Sequence, residues 1–159
     1  MKATVRETLK YGSSVALKNS FLLTGLFIVY FLLAQVAGFA RILEFRYFNY
    51  VIAFVVAYYT VKAVYIHNNY YLEYFTGLLI GIMVITLGQF WYSLLFFIYL
   101  NIDQKFLSFL LSQLPYNVVA PKFSIAALLL SEGIGLSTVI ALTLMQYFKW
   151  TSARWTHAS

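Results

Sequence analysis

The chain contains no cysteine, only two prolines and two histidines, and five acidic residues against eleven lysines and arginines. Each shortage removes a class of chemistry. Without cysteine there is no disulfide scaffold and no thiolate for zinc or iron–sulfur binding, and His67 and His157 alone supply neither a zinc site nor a pair of haem ligands. Asp103 is the sole aspartate, which rules out a two-aspartate intramembrane protease. A Ser-His-Asp triad needs its members within hydrogen-bond reach, yet His67 and Asp103 fall on opposite sides of the topology derived below. No phosphate-binding glycine loop or dinucleotide fingerprint occurs. These absences predict a protein that is not an enzyme and has no cofactor and no metal site.

Charge is scarce as well: 10% of residues are charged, against about 25% in a soluble domain. What fills the 159 residues instead is apolar (62%) and aromatic (20%). A soluble fold of this size cannot hide that much apolar surface, whereas a bilayer accepts it directly. A spanning helix needs about 20 mostly apolar residues. Four stretches qualify, at about 20–40, 48–66, 75–100 and 124–148. They are too long and too uniformly apolar for barrel strands, which run about 9–11 residues and alternate. The expected fold is an all-α polytopic membrane protein of four transmembrane helices in a single domain over 1–159. Lys2, Arg6, Lys10 and Lys18 ahead of an apolar run ending in Gly38-Phe39-Ala40 imitate a signal peptide, but the run exceeds the usual length of about 7–15 residues, so a retained helix is expected. Four spans place Lys2, Arg6, Lys10, Lys18, Lys62, Lys149 and Arg154 on one side and Arg41, Arg46, Lys105 and Lys122 on the other. Seven cations against four predict both termini in the cytoplasm.

Two surface elements are expected. Lys2, Arg6 and Lys10 recur every four residues and would form one stripe of a helix, with Val5, Leu9, Gly12 and Ala16 on another face. Such a stripe suits the headgroups of an anionic leaflet, or else is a frayed basic tail serving topology alone. It is too small a footprint for nucleic acid. At about 102–114, Asn101 is placed to cap a short amphipathic helix. Ile102, Phe106, Phe109, Leu110 and Leu114 lie on one face and Gln104, Lys105, Ser108 and Ser112 on the other, and Pro115 closes it. This helix is expected to lie flat on the outer surface, the alternative being a partner interface or a lid on the bundle. Tyr47, Tyr50, Tyr70, Tyr71, Tyr74, Tyr147, Trp150 and Trp155 read as interfacial anchors.

Within the spans, Glu132 stands out, because an intramembrane carboxylate requires a partner, water or a function. Counting helical rise from the span edges puts Gln89, Tyr58 and Tyr59 near its level, predicting a polar layer of Glu132, Gln89, Tyr58 and Tyr59. This layer either conducts ions or protons or binds helices together. A transport path normally shows several ionisable residues and broken helices, which favours the second reading. Close helix packing is expected at Gly77, Gly81 and Gly88 and at the Ser131/Gly135 pair, within one bundle or between copies. The expected role is a non-enzymatic accessory or structural subunit of a membrane assembly or homo-oligomer, with membrane lipids and other subunits or copies of itself as partners. The alternatives are a small channel or transporter using Glu132 and Gln89, and a lipid-binding membrane protein.

Several short pieces carry a resemblance. Arg46-Tyr47-Phe48-Asn49, the second span ending in Val61-Lys62-Ala63 with Tyr65, Glu73-Tyr74 followed by Gly77-Leu78 and Gly81, and Phe97-Ile98-Tyr99-Leu100 leading to Asp103 and Phe106 are similar to a bacterial family of small four-helix membrane proteins. That family is the domain of unknown function 4199. Over residues 46–106 the resemblance implies a four-helix protein of the bacterial inner membrane and supplies no activity.

Overall fold

The computed structural model describes residues 5–38, 47–112 and 121–156, with side chains in the last segment described for 122–149. Lys2, Arg41, Arg46, Leu114 and Pro115, together with the side chains of Trp150, Arg154 and Trp155, lie outside the described residues. Five helices and no strands are present among those described: α1 (Val5–Val36), α2 (Phe48–His67), α3 (Tyr74–Ile102), α4 (Gln104–Ser112) and α5 (Pro121–Thr156). All but α4 are long and apolar enough to cross a membrane.

The helix ends follow local chemistry. Beyond His67, Asn69 and Tyr70 take φ values of 52° and 61°, and the Asn68 side-chain amide donates to the Tyr71 carbonyl at 2.8 Å, which reverses the chain. Asn tolerates the left-handed region, whereas Tyr70 is held there against its preference. Asp103 leaves helical geometry, ending α3, and its Oδ1 accepts the Phe106 amide at 2.9 Å. The cap of α4 is therefore Asp103 and not Asn101, which belongs to the last turn of α3 and donates to the Phe97 carbonyl. Pro121 opens α5, where its missing N–H costs nothing.

α3 is central, packing against α1, α2 and α5, while α2 also touches α1 and α5. Specific contacts set the axial register. α1 runs antiparallel to α2, with Tyr11 stacked on His67, Asn19 bonded to Thr60 and Tyr30 stacked on Phe48. α1 runs parallel to α3, with Thr24 donating to the Gly88 carbonyl and Gln35 to the Tyr99 hydroxyl. α5 runs antiparallel to α3, so Gly77 meets Met145 and Gly81 meets Ala141.

This register locates a charge-free slab. At one end Lys122 donates to Asn101 at 3.0 Å. At the other, Lys62 follows Val61, which faces Gly81, and Lys18 precedes Asn19, which bonds Thr60. From Asn101 to Ile80 along α3 is about 32 Å at helical rise, matching a hydrocarbon core of about 30 Å. Among the described residues the only charged side chain between these levels is Glu132.

The ends of this slab differ. At one, α4 folds its apolar face onto the bundle: Phe106 and Leu107 are buried, and Phe106 packs against Phe31, Phe96 and Tyr99 at ring separations of 5.7, 6.3 and 5.9 Å. Gln104, Lys105, Ser108 and Ser112 face outward. Ile102 does not join the apolar face of α4, being 77% exposed, because the break at Asp103 resets the helical phase. At the opposite, basic end the helices continue past the slab. α1 begins at Val5 as one uninterrupted helix, with Thr8, Gly12, Ala16 and Ser20 buried at four-residue spacing against α2 and α3. Arg6 and Lys10 are exposed on this coaxial extension, so the expected separate surface helix is instead part of the first span's own helix.

Candidate functional site

Glu132 sits one residue before Gly133 on the part of α5 that meets α3. A Cβ at Gly133 would come within 2.8 Å of the Gln89 Cβ, so the glycine is what lets Gln89 lie flat against α5. Gln89 then donates from Nε2 to the Leu129 carbonyl at 3.1 Å. One turn further along α3, Ser93 donates to the Ala126 carbonyl at 2.6 Å, and on the other side Thr86 donates to Ser137 at 3.3 Å. Close backbones explain the pattern, since short polar side chains reach carbonyls of the facing helix only when small residues let the helices touch.

The carboxylate of Glu132 turns toward α2, where its Oε1 accepts the Tyr50 hydroxyl. Between these groups lies a cavity of about 20 Å³, space for one water molecule, lined by Phe27, Asn49, Tyr50, Gln89, Tyr92, Leu129, Glu132, Gly133 and Leu136. Asn49 Oδ1 is buried on this cavity without a hydrogen-bond partner. Tyr92 closes one wall and packs edge-on to Phe27 at 5.3 Å. The polar layer thus joins α2, α3 and α5 near the middle of the slab.

The layer differs in membership from the sequence expectation. Glu132 and Gln89 line one cavity, but Tyr58 and Tyr59 do not. Tyr58 stacks on Phe148 at 5.8 Å and lies 6.2 Å from Tyr147, near the basic end. Tyr59 is 62% exposed beside it. Eight residues separate Tyr58 from Tyr50, about 12 Å of rise. The places assigned to these two tyrosines belong to Tyr50 and Asn49, because α2 meets α5 with its first turn already at the level of Glu132. Tyr50 carried the signal of a boundary aromatic and Asn49 none beyond being polar beside it. Lys62 is about 18 Å from Tyr50 along α2, too far to pair with Glu132.

The small residues also divide. Gly77 and Gly81 face α5, whereas Gly88 faces α1, where a Cβ would come within 2.7 Å of Leu23 Cδ2. On α5 Ser131 and Gly135 are both exposed, and a Cβ at Gly135 would meet nothing within 4 Å among the described residues. The small residues that meet α3 are Gly133, Ser137 and Ala141. They are two residues out of phase with the expected pair, about 200° around the helix.

At the end of the slab nearer α4, a second polar chain links α1, α3 and α4. Gln35 donates to the Tyr99 hydroxyl at 2.9 Å, and Tyr99 donates to Asp103 Oδ2 at 2.7 Å. The Phe106 amide, followed by the Tyr99 hydroxyl, holds the Asp103 carboxyl below its ordinary value of 3.8. No group of three or more His, Asp or Glu residues able to hold a metal ion occurs among the described residues.

Fold and site together define an all-α, multi-pass membrane bundle with a polar layer at mid-depth. No protein-family model, no curated protein and no solved structure matches the chain.

Proposed function

We propose that this protein is a non-enzymatic structural or accessory subunit of a membrane assembly, with other subunits or copies of itself as partners. The observation that carries this reading is how the polar layer is used. Glu132 accepts from Tyr50 of α2, and Gln89 of α3 bonds to the α5 backbone, so both groups tie helices together around a space for a single water. A bundle held this way presents apolar surface on all sides, including Phe21, Leu33, Val51, Phe75 and Val139, each more than half exposed. The excess of cations at the end carrying Arg6, Lys10, Lys18, Lys62 and Lys149 supports a cytoplasmic placement of both termini. The resemblance over residues 46–106 supports a bacterial inner membrane.

Native mass spectrometry of protein purified gently from its own membranes tests the proposal. The expected result is a stable companion polypeptide or a defined number of copies; a lone monomer with nothing bound overturns it. One observation favours a second reading, a small ion or proton pathway: Asn49 lines the Glu132 cavity, and its buried Oδ1 has no hydrogen-bond partner. Flux through proteoliposomes that disappears in Glu132→Gln, with the assembly intact, would establish that pathway instead.

A further inference from the structure

At the basic end, large rings of α2 and α5 pack into one aromatic cluster. Its buried member is Phe148, 5% exposed, with the Tyr58 ring stacked on it at 5.8 Å and an interplanar angle of 23°. Tyr59 and Tyr147, 62% and 48% exposed, flank Tyr58 at 5.5 and 6.2 Å. Over the Tyr58 ring, 5.6 Å from its centroid, lies the ammonium of Lys62.

No carboxylate of the described residues balances that ammonium. Glu132 is about 18 Å away along the helix axis, at the level of Tyr50, and Asp103 is at the opposite end of the bundle. Glu73 accepts from Thr76 at 3.0 Å and sits about 10 Å of helical rise beyond Ile80, the α3 residue level with Lys62. Glu7 lies one turn beyond Tyr11, which itself stacks on His67, the last residue of α2. Lys62 is also placed at the edge of the charge-free slab, the depth at which lipid phosphates begin. Its side chain points back along α2 toward Tyr58, as helical side chains do, and so toward the hydrocarbon. A cation turned that way cannot easily extend to water, and its counter-charge must come to it.

We propose that this cluster binds the headgroup phosphate of an anionic phospholipid, with Lys62 as the cation, Tyr58 beneath it and Tyr59 and Tyr147 beside it. Phosphate at this depth is supplied by the bilayer itself, which favours a lipid over a carboxylate on a partner helix. An anionic lipid is favoured over a zwitterionic one because Arg6, Lys10, Lys18, Lys62 and Lys149 outnumber Glu7 and Glu73 at this end. The site is separate from the Arg6 and Lys10 stripe and independent of whether the protein acts as a subunit.

The test is native mass spectrometry of delipidated full-length protein titrated with phosphatidylglycerol or with phosphatidylcholine of the same acyl chains. Phosphatidylglycerol should be retained in preference. Lys62→Gln should weaken that retention about fivefold, and Lys62→Arg should restore it to within about twofold, which separates lost charge from lost folding. Lys18→Gln removes a cation at the same depth from a different helix and should leave retention unchanged. Equal retention of both lipids, unchanged retention in Lys62→Gln, or an equal loss in Lys18→Gln would each overturn the proposal. A polypeptide released by Lys62→Gln while lipid retention stays constant would overturn it in favour of a protein partner.

Discussion

α5 meets two neighbours in two ways. Against α3 it uses glycine, serine and alanine: Gly81 faces Ala141 so closely that an added Cβ would lie 3.0 Å from the alanine Cβ and 3.4 Å from its Cα. Against α2 it uses long side chains, Tyr50 to Glu132 in one place and Tyr58 and Tyr65 against Phe148 in another. The first interface brings backbones together, and its hydrogen bonds run from side chains to carbonyls. The second holds backbones apart, and its bonds and stacks run between side-chain ends. Without a hydrophobic driving force between helices in lipid, contact area and interhelical hydrogen bonds decide association, so the close interface should govern stability. The spread one borders the Glu132 cavity and carries the aromatic cluster beside Lys62.

The largest break in this contrast should come from Gly81→Leu. Its side chain must displace the α5 backbone at Ala141, and about 3 kcal/mol of stability should be lost, read as a lowered thermal midpoint in detergent. Gly133→Ala and Gly135→Ala sharpen the same point within one turn of helix. The first pushes Gln89 off the Leu129 carbonyl and should cost about 1–2 kcal/mol. The second should stay within about 0.5 kcal/mol. Equal effects at the two positions would refute the assignment of the α5 face.

The spread interface should respond less. Tyr50→Phe removes the hydroxyl that Glu132 accepts and should cost about 0.6 kcal/mol, with about 1.7 as the upper limit. The same variant in a background lacking Glu132 should cost less, which a double-mutant cycle would measure. Asp103 gives the smallest effect, confined to α4. Its carboxyl titrates below its ordinary 3.8 in the folded protein, so its contribution is complete above that pH and is lost as the pH falls through the lower, folded value. Amide exchange in Gln104–Ser112 should therefore accelerate below about pH 4. In Asp103→Ala it should be fast at every pH, while exchange in α3 stays unchanged.

The spans were legible because each depends on its own residues: a long apolar run forms a helix whatever its neighbours do. Glu132 and Gln89 were legible for the same reason, as polar residues in apolar runs. Tyr58 and Tyr59 were misplaced because counting rise from each span's edge assumes that all four helices start level. α2 instead meets α5 with Tyr50 beside Glu132. Ser131 and Gly135 show the matching rotational problem. Ser131/Gly135 and Gly133/Ser137 have identical spacing, and only packing against α3 selects between them.

The amino-acid sequence by itself determined the number of membrane helices, the absence of thiol chemistry and the one carboxylate within a span, all properties of local composition. Tertiary structure alone decided that Asn49 and Tyr50 share the cavity with Glu132, that α4 folds onto Phe31 and Phe96, and that Lys62 lies over Tyr58. The physical reason is that the rotation and axial offset of one helix against another are set by which small residues let two backbones approach. That is a property of pairs of surfaces, and no single helix carries it.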